Sequence, residues 1–303
     1  MRVTFWGTRG SIPTPGPHTV RYGGNTPSAE VRTSAGTLMI LDCGSGIREL
    51  GRHLLKDGAA PITGAILLSH AHWDHIQGFP FFGPLFLPQN QFTIYGPRPQ
   101  DRALEAIFAA QMEQPYFPVR LSDLAARLRF HELEEETIAI GEARVRSHYA
   151  HHPTVCLAYR IEADGATLVY ATDTEPASSY LHAPDRVTPS HGEHDCDSPA
   201  SRLTHEADRD LVAFVAGADM LIMDAQYSLE EYQTKRGWGH SPLDYVMDVA
   251  IAAQVKRVVL FHHDPLHADT VVDSFEAVCR ERARKEQPGL EVIAAREGMV
   301  LPC

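Results

Sequence analysis

The run Ser69-His70-Ala71-His72-Trp73-Asp74-His75 sets three imidazoles and a carboxylate within six positions. As packing these groups are costly, because each buried polar atom needs a partner. Ligation of a divalent cation explains them better, and imidazole mixed with carboxylate suits zinc, manganese or iron. His70 and His72, on alternate residues, can face one ion. Asp74 and His75, at the mouth of a helix, face elsewhere, so the spacing points to two ions. Two such ions about 3.5–4 Å apart hold a hydroxide between them and lower the pKa of water from about 15.7 to about 7, so hydrolysis is the default chemistry. The metals alone do not choose between a phosphodiester oxygen and a carbonyl oxygen.

The elements around the cluster are predicted from pattern. Ile62 to Ser69 reads as a buried strand, which puts the cluster on a strand-to-helix loop, where active sites concentrate. Val3 to Gly7, Ala29 to Thr33 and Leu38 to Asp42 read as a strand meander, and Ile47 to Leu55 has helical spacing. Residues 79–130, aromatic and proline-rich around one helix at Gln100 to Met112, read as a cap-like insertion. Its apolar start, Phe79 to Phe86, could line a substrate pocket or a homodimer interface. Strands follow at Ala143 to Tyr149, Val155 to Glu162 and Thr167 to Thr172, with Asp164-Gly165 as the turn between the last two. Later come strands at Met220 to Asp224 and Arg257 to Phe261, and helices from Ser228, from Ser241 and over Thr270 to Glu286. Short strands at Glu291 to Ala294 and Met299 to Leu301 close the pattern. No linker breaks the chain, so residues 1–303 read as a single domain. Leu181 to His205, rich in His, Asp, Ser and Pro, reads as a long surface loop. Within it His191, His194 and Cys196 could chelate a further zinc, although a solvated loop is the plainer reading.

The 303 residues are 44% apolar and 22% charged, within the globular range. The net charge of -12 has the wrong sign for gripping a nucleic-acid backbone by bulk electrostatics, so no stable nucleic-acid partner is expected. No apolar run approaches the length of a membrane span, and no signal-peptide pattern opens the chain. Five cysteines without paired spacing argue for reduced thiols. A cytoplasmic protein without membrane contact is expected.

Further motifs follow the histidine cluster in a recognisable order. Asp42 stands in LDCGSG, His152 in HHPTVCLAYRIE, Asp173 in YATDTE and His262 in VVLFHHDP. With HxHxDH, this set resembles the metallo-β-lactamase superfamily across nearly the whole chain. The resemblance implies an α/β fold, a four-layer αββα sandwich with the metals at the edge between two sheets. It implies that His70, His72 and His152 hold one ion, Asp74, His75 and His262 the other, and Asp173 both, with zinc first and manganese or iron open. Asp42 would brace the site from behind the ligands. His151 is less favoured than His152, because the family places its histidine just before the proline, and His263 is the register alternative to His262.

The segment from Met223 to His263 resembles the one that ribonuclease Z and related phosphodiesterases carry before their last ligand. There an acidic residue and a histidine supply a proton to the leaving group, and the matching positions are Asp224 and His240. With Asp74 they form the expected catalytic set. The opening FWGTRGSIP resembles the FxGTGxxxP start of the same branch. That branch's tRNA-gripping arm has no room here, because His152 and Asp173 are only 21 positions apart. A small phosphodiester is therefore expected as substrate, most of all a cyclic nucleotide, attacked by a metal-bridging hydroxide with His240 as general acid. Arg21, Asn25, Tyr116 and His263 are candidate substrate contacts, since Arg can grip phosphate and an aromatic ring can stack on a base. The competing readings are a ribonuclease Z-like RNA endonuclease, an ester or lactone hydrolase on the same metals, and a non-catalytic sensor or interaction module.

Overall fold

The computed structural model describes residues 1–56, 60–99, 101–177 and 199–303. In chain order its elements are β1 (Arg2–Gly7), β2 (Ser28–Arg32), β3 (Leu38–Leu41), α1 (Ile47–Leu54), β4 (Thr63–Leu67), α2 (Trp73–Ile76), β5 (Gln91–Pro97), α3 (Leu104–Ala110), β6 (Arg127–Leu133), β7 (Thr137–Ile140) and β8 (Ala143–Ala150). Then come β9 (Cys156–Ala163), β10 (Ala166–Ala171), α4 (Pro199–Arg202), α5 (Glu206–Val215), β11 (Met220–Asp224), α6 (Leu229–Tyr232), α7 (Leu243–Ala252), β12 (Arg257–Phe261), α8 (Asp269–Glu286), β13 (Glu291–Ala294) and β14 (Val300–Pro302). One sheet has the order β14-β1-β2-β3-β4-β5-β6 and the other β13-β12-β11-β10-β9-β8-β7.

Alternation along the strands dictates four layers. In β11, Met220 and Ile222 join the core between the sheets, together with Phe5, Met39, Leu67, Tyr159 and Phe261. Leu221 and Met223 point the other way and pack with Leu211 and Phe214 of α5, Val246 and Val249 of α7, and Val272 of α8. The first sheet repeats the pattern, with Ile40, Ile66 and Ile94 turned outward onto Leu50 of α1 and Phe108 of α3. Strands buried on both faces must be apolar throughout, which is why β3 (LMIL) and β11 (MLIMD) are nearly continuous apolar runs. The result is an αββα sandwich. Among the described residues no helix is long and apolar enough to cross a membrane, and Cys43, Cys156, Cys279 and Cys303 are free thiols.

Strand direction builds the site. β3 to β6 run parallel, as do β10 to β13. β8 is antiparallel to β9, which is antiparallel to β10, so β8 shares the direction of β10. The carboxyl ends of β3, β4, β8, β10, β11 and β12, or the segments leaving them, carry Asp42, His70 to His75, His152, Asp173, Asp224 and His262 respectively. Open α/β sheets bind their ligands at such ends.

The cap-like insertion expected over 79–130 needs correction. β5 and the start of β6 lie inside it, and both pair in parallel into the first sheet. Phe92 and Ile94 are buried while Thr93 and Tyr95 are half-buried, a period-two signal hidden by the prolines around it. β6 is an edge strand whose arginines Arg127 and Arg129 are exposed, and α5 and β7 also carry no strong sequence signal. Most of the predicted loop over 181–205 lies outside the described residues, including His191, His194 and Cys196. His205 caps α5, its Nδ1 accepting from Ala207 N at 3.2 Å.

Candidate metal centre

Among the described residues, donor atoms converge at this edge in three groups, the third of which, Asp173, Asp224, His240 and His262, shares Asp173 and His262 with the second. His70, His72 and His152 bring their ring nitrogens together, with His152 Nε2 3.2 Å from His72 Nδ1. Asp74, His75, Asp173 and His262 form the second group. In it His75 Nε2 lies 3.3 Å from Asp74 Oδ2, from Asp173 Oδ1 and from His262 Nε2. His262 Nε2 lies 3.2 Å from each of the same two carboxylate oxygens. A tetrahedral ion with ligands at about 2.0–2.1 Å spaces its ligand atoms about 3.3–3.4 Å apart, close to the edges of this group. The other oxygen of Asp173, Oδ2, is 3.7 Å from His70 Nε2. That nitrogen is buried and has no hydrogen-bond partner. An orphaned imidazole nitrogen beside a carboxylate is expensive unless a cation takes its lone pair, so the donor set fits a pair of divalent ions.

The back of each ring is held so that its front stays open. Asp42 Oδ2 lies 2.7 Å from His75 Nδ1 and accepts from Tyr170 OH at 2.7 Å, while Asp42 Oδ1 accepts from Ser69 N at 2.7 Å. His152 Nδ1 donates to Gly239 O at 3.0 Å, and His262 Nδ1 to Gln226 Oε1 at 3.2 Å. Such partners fix the tautomer and aim the free nitrogen at the cluster. Asp74 Oδ2 is held by the Ser11 N–H at 2.7 Å. Asp42, Asp173 and His262 all have positive φ, at 59°, 49° and 59°. Non-glycine residues adopt that conformation at a cost, and it collects at functional sites.

The electrostatics agree. Burial holds His70 well below the ordinary imidazole range, lowers His72 and takes His152 down to about 4, leaving their lone pairs free. Burial alone would raise Asp74 and Asp173, yet the surrounding histidines outweigh it and keep both ionised. Burial would likewise lower His75, but Asp173, Asp74 and Asp42 push it well up, so the field here favours positive charge.

Beside the second group, His240 Nδ1 lies 2.7 Å from Asp224 Oδ2. Its ring stacks on that of His262, with centroids 4.9 Å apart. Burial opposes a charge on His240, but Asp224 outweighs it and raises the ring to about 9. The pair therefore favours the imidazolium–carboxylate form.

The expected substrate contacts fare differently. Arg21 is drawn to α8, where Asp273 takes its guanidinium with both oxygens at 2.9 and 2.6 Å. Asn25 is a structural clip, bonded through N and Nδ2 to Glu297 and through Oδ1 to Ser45. Tyr116 is 79% exposed on the loop after α3, with no ring or hydrogen-bond contact to the donor cluster. His263 turns away from the cluster, its Nε2 donating to Ala295 O at 2.9 Å. His262 is the histidine brought to the donors, and His151 sits outside them, its Nδ1 on Glu175 O at 3.0 Å. Sequence reasoning did not single out Gln226, Glu175, Tyr170 or the buried Arg9. Arg9 donates to Gly23 O, Asp264 O and His267 O and so ties the opening loop to the one after β12.

Relatives are consistent with this geometry. A family model described as the beta-lactamase superfamily domain matches residues 37–196, just over half of the chain. Ribonuclease Z of Haloarcula marismortui is 24% identical, the match covering 99% of this chain and 96% of that protein. Ribonuclease Z of Haloferax volcanii is 26% identical over 99% and 94%. Among solved structures, the metallo-beta-lactamase fold protein YhfI from Bacillus subtilis superposes with a TM-score of 0.65 at 18% identity, over 99% and 98% of the two chains. The short form of human tRNase Z superposes with a TM-score of 0.60 at 18% identity, over 100% and 99%. The donor cluster at the sheet edge thus stands in a chain that belongs to the beta-lactamase superfamily.

Proposed function

We propose that this protein is a metal-dependent phosphodiesterase acting on a small phosphodiester, a cyclic nucleotide above all. The observation that carries this is the His240–Asp224 pair at 2.7 Å, stacked against a ring of the donor cluster. A departing alkoxide needs a proton, and an imidazole held and charged by a buried carboxylate is built to give one. In this reading His70, His72 and His152 would hold one ion, Asp74, His75 and His262 the other, and Asp173 would serve both. The imidazole-rich set favours zinc.

Divalent cations there supply Lewis-acid activation of water and neutralise charge developing at phosphorus. The chain's own residues do the rest. Asp42, Gly239 O and Gln226 hold the imidazoles of His75, His152 and His262 in the tautomer that frees the nitrogen facing the cluster. Asp224 holds His240 Nδ1, so Nε2 carries the proton handed to the departing 3′ or 5′ oxygen, a contribution of roughly 10²- to 10⁴-fold.

An RNA endonuclease is supported by the relatives called ribonuclease Z, which align with nearly all of this chain. Against it, the span between His152 and Asp173 is taken up by the β9–β10 hairpin, and the net charge is -12. The test is hydrolysis of bis(p-nitrophenyl) phosphate, of 3′,5′- and 2′,3′-cyclic nucleotides and of a precursor tRNA by zinc-loaded protein. Turnover of the small diesters with the tRNA left intact supports the proposal. Cleavage of the tRNA alone favours the endonuclease, and inactivity on all of them ends both readings.

A further inference from the structure

On the two-cation reading above, we infer that Glu175 is a positioning residue that holds one of the two ion sites in shape through the backbone of the 237–240 loop. Its side chain is nearly buried, at 5% exposure. Oε1 accepts from Gly237 N at 2.6 Å and from Tyr232 OH at 2.9 Å, and Oε2 accepts from Gly239 N at 2.9 Å. A carboxylate gripped by two glycine N–H groups of one short loop makes an anion nest with the roles reversed, the fixed charge shaping the loop. Both glycines have positive φ, 80° and 85°, so the bend depends on them.

The loop presses directly on a proposed ligand. Gly239 O takes the proton of His152 Nδ1 at 3.0 Å. A Cβ on Gly239 would lie 2.0 Å from that nitrogen, so the backbone itself is the wall behind the ring. Glu175 also holds the other side of His152: its N–H donates to His151 O at 2.8 Å, and its carbonyl takes His151 Nδ1 at 3.0 Å. One residue therefore fixes both the segment that carries His152 and the carbonyl that sets its tautomer. Apart from Asp173, which both sites share, the donors of the second site are braced elsewhere. His75 leans on Asp42, His262 on Gln226, and Asp74 on the Ser11 N–H. Loss of the Glu175 carboxylate should thus weaken one ion and spare the other, which a general loss of stability would not do.

The experiment is a competitive zinc titration of the full chain against a chromophoric chelator, with a thermal melt as control. Wild type is expected to take up two zinc ions. In Glu175→Ala one site should weaken by roughly 10- to 100-fold, the usual effect of removing a group that orients a ligand, and the other should stay within about threefold. Glu175→Gln covers the case in which the alanine variant does not fold. It keeps an oxygen for Gly237 and Tyr232 but turns an amide against the Gly239 N–H, so the same selective weakening is expected. A readout without metal is the ¹⁵N spectrum of His152, in which the share of the Nδ1–H tautomer should fall in either variant. The inference is overturned if both sites keep their affinity or weaken alike, or if the melt shifts while the tautomer does not. If the variants keep both ions as wild type does, only the inference fails. If wild type itself binds no zinc, the phosphodiesterase reading fails with it.

Discussion

Asp42 and His75 lie 2.7 Å apart, Oδ2 to Nδ1, with neither side chain touching solvent. The contact leaves His75 Nε2 as the free nitrogen. Asp42 Oδ2 also takes the Tyr170 and Ser69 hydroxyls at 2.7 and 2.9 Å, so an amide NH₂ in its place would face donors. Asp42→Asn should therefore lower zinc affinity by roughly 10- to 100-fold, read by competition with a chelator.

His240→Ala separates acid catalysis from metal chemistry. With a nucleoside leaving group, turnover should fall by roughly 10²- to 10⁴-fold. With bis(p-nitrophenyl) phosphate, whose phenolate leaves without a proton, the loss should be small. An equal loss on both substrates would make His240 a structural residue.

Asp224 gives His240 a pH signature. In metal-free protein the His240 ring should titrate near 9, above its ordinary 6.5, as followed by NMR. The sign is that of a raised imidazole. Its contribution to stability is full below 6.5 and is lost as pH rises through about 9. Added zinc should lower the titration point, because nearby positive charge disfavours the imidazolium. Asp224→Ala should lower it even without zinc.

Arg9 is a stability prediction independent of the chemistry. It is fully buried and donates to three backbone carbonyls, Gly23 O, Asp264 O and His267 O. Arg9→Ala takes a donor from each, leaving Asp264 O only the His267 N–H, and removes the cation 3.6 Å from Asp269, so it should cost about 3–5 kcal/mol in urea unfolding. Arg9→Lys should not restore it, because an ammonium lacks the planar fork.

Legibility in the sequence followed how local each signal was. β3, β4, β11 and β12 are apolar runs with a polar residue at or just after the end, so strand and candidate donor are legible together. β5 and the start of β6 read as part of a cap because prolines and exposed arginines mask their alternation. Gln226, Glu175 and Arg9 were invisible for another reason: each acts on an atom far along the chain, His262 Nδ1, Gly239 N and Asp264 O. No local pattern encodes such a pairing. Arg21 and Tyr116 stand out by chemical type alone, and type does not say which way a side chain points. In the fold Arg21 serves Asp273, and Tyr116 faces solvent.

Anomalous diffraction from zinc-soaked crystals addresses the paired-cation claim most directly. The expected map has two peaks about 3.5–4 Å apart on either side of the Asp173 carboxylate, one beside His70 and one beside His262. A single peak, or none within reach of Asp173, would contradict it.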